Sequence, residues 1–314
     1  MNKKKLGITA GDFNGIGPEV ITKALNKLDL SSDDVVLIGA KQLFSGLKNE
    51  YEFVEIPFEE KWQKIGFETK EAGEFSFNCL TKACEMAKNK QIGAIVTAPV
   101  SKNALHLAGH NFSGQTEVIE KNLADSTKND KAEMLFVCDD FRVLLLSRHV
   151  ALKDVKITKE LLIEKLQRID CVLKEKFKIS SPNIALCSLN PHAGENGILG
   201  TEEIEEFTPA LSFLRSKGLV VSEPKPSDTL FVRASKAFLN SEKQPFDVYC
   251  ACYHDQGLIP IKALAMDKTV NMTVGLSVIR TSPAHGTAYD IAGKNLADET
   301  SMVEAISQAL KLSV

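Results

Sequence analysis

Short apolar runs rich in β-branched residues recur along this chain, with room for a helix between most of them, and this alternation restricts the available folds more than any other feature. The runs are KLGITAG, DVVLIGA, IGAIVTAP, RVLLLS, NIALCSLN and FDVYCACY. They are apolar nearly throughout rather than at every second residue, as expected of strands covered on both faces. Between them the 3.6-residue spacing predicts helices, for example over Pro18–Leu28, Cys79–Lys88, Lys159–Lys174, Thr201–Lys217 and Ser301–Leu312. Strands and helices in this order predict an α/β architecture around a largely parallel sheet. At 314 residues and 44% hydrophobic composition the chain is long enough for two domains. No repeat, low-complexity tract or long linker marks a boundary between them.

A formal net charge of -3 excludes a general cationic field for nucleic acid or anionic lipid, so any anionic ligand must be captured by a local cluster. The seven cysteines are scattered, odd in number and mostly set in apolar runs, the pattern of reduced core thiols rather than of a disulfide framework. No stretch reaches the roughly 18 apolar residues of a membrane span. These features together predict a cytoplasmic protein that binds neither nucleic acid nor membrane.

Ligands of open α/β sheets bind beyond the carboxyl ends of the strands, so the polar residues that follow each apolar run are the candidates for chemistry. The first run leads into Gly11-Asp12-Phe13-Asn14-Gly15-Ile16-Gly17-Pro18-Glu19, a glycine-dense turn opening a helix. Such a turn either brings backbone N–H groups to a phosphate or simply turns a corner. Three of the six histidines, His149, His192 and His254, also end apolar runs. Three neutral imidazoles suit a catalytic divalent ion with an open position, yet their spacing fits no local metal signature, and structural strand-end histidines remain the alternative. Lys262, Asn271 and Arg280 follow the last of these histidines and form either a phosphate cradle or two solvated cations and a turn asparagine. Gln115 and Thr116 in GQTE, and Asp228 in SDTLF, are polar groups beside apolar runs.

Taken together, the stretches ITAGDFNGIGPE (8–19), TAPVSKNAL (97–105), GQTE (114–117), LNPHAGENG (189–197), SDTLF (227–231), YHDQGLIPIK (253–262) and VNMTVGLSVIRTSPAHGTAYDIAGK (270–294) resemble, in order and along nearly the whole chain, the 4-hydroxythreonine-4-phosphate dehydrogenase family of vitamin B6 biosynthesis. The resemblance implies two α/β/α domains with a cleft between them, as in isocitrate and isopropylmalate dehydrogenases. The expected edges are 1–115 with 286–314 for the first domain and 116–285 for the second. It implies His149, His192 and His254 as ligands of a divalent metal (zinc, magnesium or cobalt), and Gln115, Thr116, Lys262, Asn271 and Arg280 around the substrate. It further implies NAD or NADP as cofactor and a homodimer whose site draws on both subunits. The implied reaction is metal-assisted oxidation of 4-phosphohydroxy-L-threonine followed by decarboxylation to 3-amino-2-oxopropyl phosphate. Lys262 and Asp228 are the catalytic candidates, Asp228 by orienting a ligand or transferring a proton.

Four positions depart from the family pattern. Gln115 replaces the usual histidine of GHTE and cannot carry a proton. Ala284 replaces the aspartate before His285, Phe13 a proline, and Arg148 the small residue before His149. Other readings are a D-threonate or D-erythronate 4-phosphate dehydrogenase, a zinc hydrolase or metal-dependent aldolase without a nicotinamide, and a non-catalytic phosphometabolite-binding protein.

Overall fold

A computed structural model of the chain describes residues 4–125, 127 and 130–313. These form two compact units, one built from the residues up to Ala132 together with those from Val270 onward, the other from Glu133–Thr269.

With elements numbered along the chain, the first unit contains β1 (Lys5–Thr9), α1 (Gly17–Leu28), β2 (Val35–Gly39), β3 (Glu52–Glu55), α2 (Lys70–Lys88), β4 (Ile92–Thr97), α3 (Lys102–Leu107) and α4 (Gln115–Leu123). It is completed by β10 (Val270–Val274), β11 (Ile279–Pro283) and α9 (Thr300–Leu312). Its strands lie in the order β3-β2-β1-β4-β11-β10, parallel except for the β10–β11 pair. The strands are buried as their composition demands, with every residue of β2 and all but the first of β1 inside. Helix α1 has proline in its first turn, Glu19 beside its N-terminus and Lys27 in its last turn, each complementing the helix ends. The distant chain segments are joined by side chains of α1: Lys23 donates to the carbonyls of Asn295 and Ala297, and Glu19 accepts from the N–H of Ala297. Gly73 lets α2 approach α3 closely, since a Cβ there would stand 1.9 Å from the Ala104 carbonyl oxygen.

The second unit contains β5 (Glu133–Cys138), β6 (Phe141–Leu145), α5 (Lys159–Glu175), β7 (Asn183–Cys187), α6 (Thr208–Ser216), β8 (Val220–Lys225), α7 (Ser227–Leu239), β9 (Val248–Ala251) and α8 (His254–Ala265). The strand order is β5-β6-β9-β7-β8, parallel except for β5–β6. One part of its core is aromatic: Phe141 meets Tyr249 edge-on at 5.4 Å, and the Tyr249 hydroxyl donates to Gln244 Oε1 at 2.8 Å. Elsewhere the buried Glu133 carboxylate is paired with Lys165 and Arg168 of α5, which satisfies a charge that would otherwise be costly to bury. No helix among the described residues is long and apolar enough to cross a membrane.

Most predicted helices appear with small changes of length; Cys79–Lys88 is the second half of α2. The region 201–217 differs. It holds a π-helical turn at Glu203–Phe207 before α6, because Pro209 lacks the N–H that would continue a regular ladder. Helices α3, α4, α7 and α8 add to those examples, and α8 forms with Gly257 and Pro260 inside it. The glycine is required by packing, since a Cβ there would stand 2.8 Å from Leu145 and Val143. The chain passes between units at 132/133 and 269/270. The α4 helix packs on α2, and β11 pairs with β4, so residues 116–132 and 270–285 join the first unit, whereas the sequence placed them in the second.

Candidate active site

In the second unit the ends of β6, β7 and β9 lead into His149, His192 and His254. His149 and His254 stand together, with ring centroids 5.7 Å apart and planes inclined by 44°. His254 begins α8, and its Nδ1 lies 2.6 Å from Asp255 Oδ1, which orients the ring. His192 is carried on a separate turn and is open to solvent, its side chain 70% exposed, with Nδ1 3.7 Å from Glu195 Oε2. Residues His192 to Asn196 all have positive φ, between 44° and 78°, a left-handed turn that L-residues adopt at about 1–2 kcal/mol each. Buried Glu203 supports the segment leading into it, accepting hydrogen bonds from the N–H groups of Leu189 and Asn190.

The spacing of His149 and His254 suits two imidazoles donating to one divalent ion. His192 is not gathered with them, and among the described residues no three His, Cys, Asp or Glu side chains stand together as a metal site. The chemistry of the donors therefore fits the expected ion, while the full set of three is not assembled here.

Asp228 is exposed in the first turn of α7 and lines an open groove with Phe231 of the same helix and Asp255, Gln256 and Ile259 of α8. Lys262 lies further along α8, its ammonium 6.0 Å from the centre of the Phe136 ring.

In the first unit, Arg280 on β11 is 4% exposed and donates through Nε to Thr97 Oγ1 at 2.8 Å. Burial pulls its guanidinium pKa down to about 10, with Glu117 acting in the opposite direction, so it stays charged at neutral pH. Gln115, at the start of α4, donates through Nε2 to the carbonyl of Ala98, the residue after Thr97. Because a carbonyl can only accept, this bond fixes the amide orientation and leaves Gln115 Oε1 as the acceptor. That oxygen, Asn271 Oδ1 and His285 Nε2 are buried without a partner among the described residues. Thr116 is also buried. Arg280 and Gln115 are thus brought to consecutive residues at the end of β4, while Asn271 lies opposite Ser282 on the β10–β11 pair.

A further cluster in this unit carries no assigned role in the sequence. Asp12 is fully buried in the turn after β1, accepting from the Asn14 N–H at 2.9 Å and the Tyr289 hydroxyl at 2.6 Å. Burial raises its carboxyl pKa, opposed by these two hydrogen bonds. Beside this turn, Glu68 accepts from Ser101 and Asn103, and these bonds lower its pKa. Both Asp12 and Tyr289 fall in stretches that stand out in the sequence; the 277-residue separation hides their pairing.

The family model described as pyridoxal phosphate biosynthetic protein PdxA matches residues 16–309. The chain belongs to the PdxA family. Among the relatives of this PdxA-family chain, a 4-hydroxythreonine-4-phosphate dehydrogenase of Sulfurihydrogenibium sp. is 39% identical, covering 98% of both chains. A D-threonate 4-phosphate dehydrogenase of Cupriavidus necator is 37% identical over 98% of this chain and 97% of that one. The crystal structure of the 4-hydroxythreonine-4-phosphate dehydrogenase from Klebsiella pneumoniae superposes with a TM-score of 0.86 at 32% identity, covering 99% of this chain and 98% of that chain. The expected likeness to isocitrate dehydrogenase holds for the fold: the enzyme from Methylococcus capsulatus superposes with a TM-score of 0.53 at 14% identity, covering 98% of this chain and 85% of that chain. As a PdxA-family member the chain is a dehydrogenase, and the hydrolase, aldolase and non-catalytic readings fall away.

Proposed function

We propose that this chain oxidises 4-phosphohydroxy-L-threonine with NAD or NADP, the product losing carbon dioxide to give 3-amino-2-oxopropyl phosphate. The observation that carries the reading is the buried, charged guanidinium of Arg280 on Thr97, next in the chain to the Ala98 carbonyl that holds Gln115, within a chain with a full-length relative named for this activity. In the first unit, Arg280 and Asn271 hold the phosphate, and Gln115 and Thr116 line the substrate. A hydroxyl or ammonium of the substrate suits the unpaired Gln115 oxygen, in keeping with the loss of a proton-carrying histidine at that position. Fixed at a distance from the reacting carbon, the phosphate turns binding energy into orientation.

In the second unit, His149, His192 and His254 are the metal donors, Lys262 binds substrate and Asp228 transfers a proton or orients a donor. A divalent ion such as zinc, magnesium or cobalt, when bound, supplies acidification of the substrate hydroxyl and stabilisation of negative charge. The donor set is completed in a homodimer that shares its sites between subunits. Support for this lies in α7 and α8, whose outward residues Val232, Leu239 and Ile259 are 51%, 69% and 65% exposed. A cytoplasmic location accords with the seven free thiols, six of them buried.

The second reading, oxidation of D-threonate 4-phosphate, is favoured by the Cupriavidus necator relative. The test is reduced-nicotinamide formation with each substrate side by side, with NAD or NADP, before and after chelation. Turnover of 4-phosphohydroxy-L-threonine that chelation removes supports the proposal. Turnover of D-threonate 4-phosphate alone replaces it with the second reading, and turnover resistant to chelation removes the metal.

A further inference from the structure

Each of the three strand-end histidines lies two residues beyond a backbone anchor, and the anchors are joined by one chain of hydrogen bonds within the second unit. Before His149, the Ser147 hydroxyl donates to the Cys252 carbonyl at 2.7 Å. Before His254, the Cys252 N–H donates to Gln256 Oε1 at 2.6 Å. The other end of the same amide, Gln256 Nε2, donates to the Ser188 carbonyl at 2.8 Å. The Ser188 hydroxyl donates to the Asn190 carbonyl at 2.8 Å, and the Asn190 N–H, two residues before His192, donates to Glu203 Oε1 at 2.8 Å. Glu203 Oε2 also accepts from Asn190 Nδ2 at 2.9 Å.

We propose that Gln256 and Glu203 are positioning residues that set the spacing of His149, His192 and His254 as one frame. Gln256 is 8% exposed, and both ends of its amide are used on backbone groups of different strand ends. The groups it joins lie 4 and 68 residues away, so it ties the segment leading to His254 to the segment leading to His192. Both partners are backbone atoms of fixed polarity, an N–H and a carbonyl, so only a side chain with an acceptor and a donor in amide geometry satisfies both. Glu203, 5% exposed, holds the entry to the left-handed turn that presents His192. A turn of that hand persists only when its surroundings over-determine it, and the Glu203 hydrogen bonds do so. The frame does not depend on what the histidines bind; their role as metal donors is the reading proposed above.

The experiment uses the full chain with isotope-labelled histidine and follows all six imidazoles by NMR, assigned by single histidine substitutions. In Gln256→Met, the signals of His254 and His192 should move most and His149 less, with His106, His110 and His285 unmoved. In Glu203→Ala, His192 should move foremost. The control is Gln244→Met: Gln244 is also a buried amide of this unit, bonded to Tyr249 and the Ala234 carbonyl, but lies outside the frame. It should move none of the three. Cobalt titrated into the same proteins should bind on the order of 10- to 100-fold more weakly to Gln256→Met than to the parent. Should Gln256→Met fail to fold, Gln256→Glu keeps the shape and the bond from Cys252 while setting an acceptor against the Ser188 carbonyl, and the same shifts are expected. Movement of His254 alone in a folded Gln256 variant, or equal movement in Gln244→Met, overturns the frame. A parent protein whose three signals ignore cobalt overturns the metal reading and leaves the frame to be judged by the shifts.

Discussion

In the first unit the candidate groups and the Asp12 cluster are held by fixed partners: Arg280 is buried against Thr97, Asp12 against Tyr289, and half-buried Gln115 is pinned to the Ala98 carbonyl. In the second unit the histidines are partly or fully open to water, and what is enclosed lies behind them, in Gln256, Glu203 and the backbone they bridge. The contrast follows from the chemistry each set is suited to. A guanidinium recognises an anion best when its hydrogen bonds are fixed and water is excluded. An imidazole that must exchange water for a metal or substrate has to stay reachable, so its precision must come from its supports.

The largest effect that could break this comparison is expected at His192. His192→Ala should abolish metal-dependent turnover while changing stability by no more than about 0.5 kcal/mol, because the side chain is exposed. Assay and thermal melting together check it, and a large drop in stability would mean the ring is part of the fold.

Next in size is Arg280→Lys, which keeps the charge but loses the planar fork and the bond from Nε to Thr97. A fall in kcat/KM on the order of 100-fold, carried mainly by KM, is expected. An unchanged KM would show that this buried cation serves the fold rather than the substrate.

Tyr289→Phe removes the side-chain hydrogen bond given to the Asp12 carboxylate and leaves that from the Asn14 N–H. A loss of about 1–2 kcal/mol at neutral pH is expected. The sign of its pH dependence follows from burial, which already raises the Asp12 pKa above its unfolded value, so ionised Asp12 works against folding. Losing the phenol's donation raises that pKa further, and the deficit of the variant should shrink as pH falls through it. Urea unfolding at several pH values checks this, and a deficit independent of pH would assign the loss to packing alone.

The smallest expected effect sharpens the second unit's side of the comparison. Ala193 sits at φ 55° in the left-handed turn, so Ala193→Gly should remove steric cost and stabilise the protein by about 0.5–1 kcal/mol, partly offset by glycine's greater unfolded-state entropy. Destabilisation on melting would show that the turn is not strained at that residue.

Much of this arrangement was open to reading before any fold was known, and the rest was hidden for identifiable reasons. Apolar runs and helical spacing point to strands and helices because those patterns are set by neighbours a few residues apart. Local rules do not announce α8, which carries Gly257 and Pro260 and forms with Gly257 packed against Val143, Leu145 and Ala251. They also drew one helix across 201–217, where Pro209 follows a π-helical turn. Among the site candidates, the strand-end positions of His149, His192 and His254 were visible, and the pairing of two of them was not.

What the sequence by itself determined is the α/β alternation, the placement of polar groups after the strands and membership of the PdxA family, all carried by local pattern and motif order. The tertiary structure alone decided that Gln256 reaches Ser188, that Tyr289 reaches Asp12 and that His192 rides on a left-handed turn. These depend on hydrogen bonds between groups 68 and 277 residues apart and on backbone angles enforced by distant partners. Only the packed fold brings such groups within reach, so no local pattern announces them.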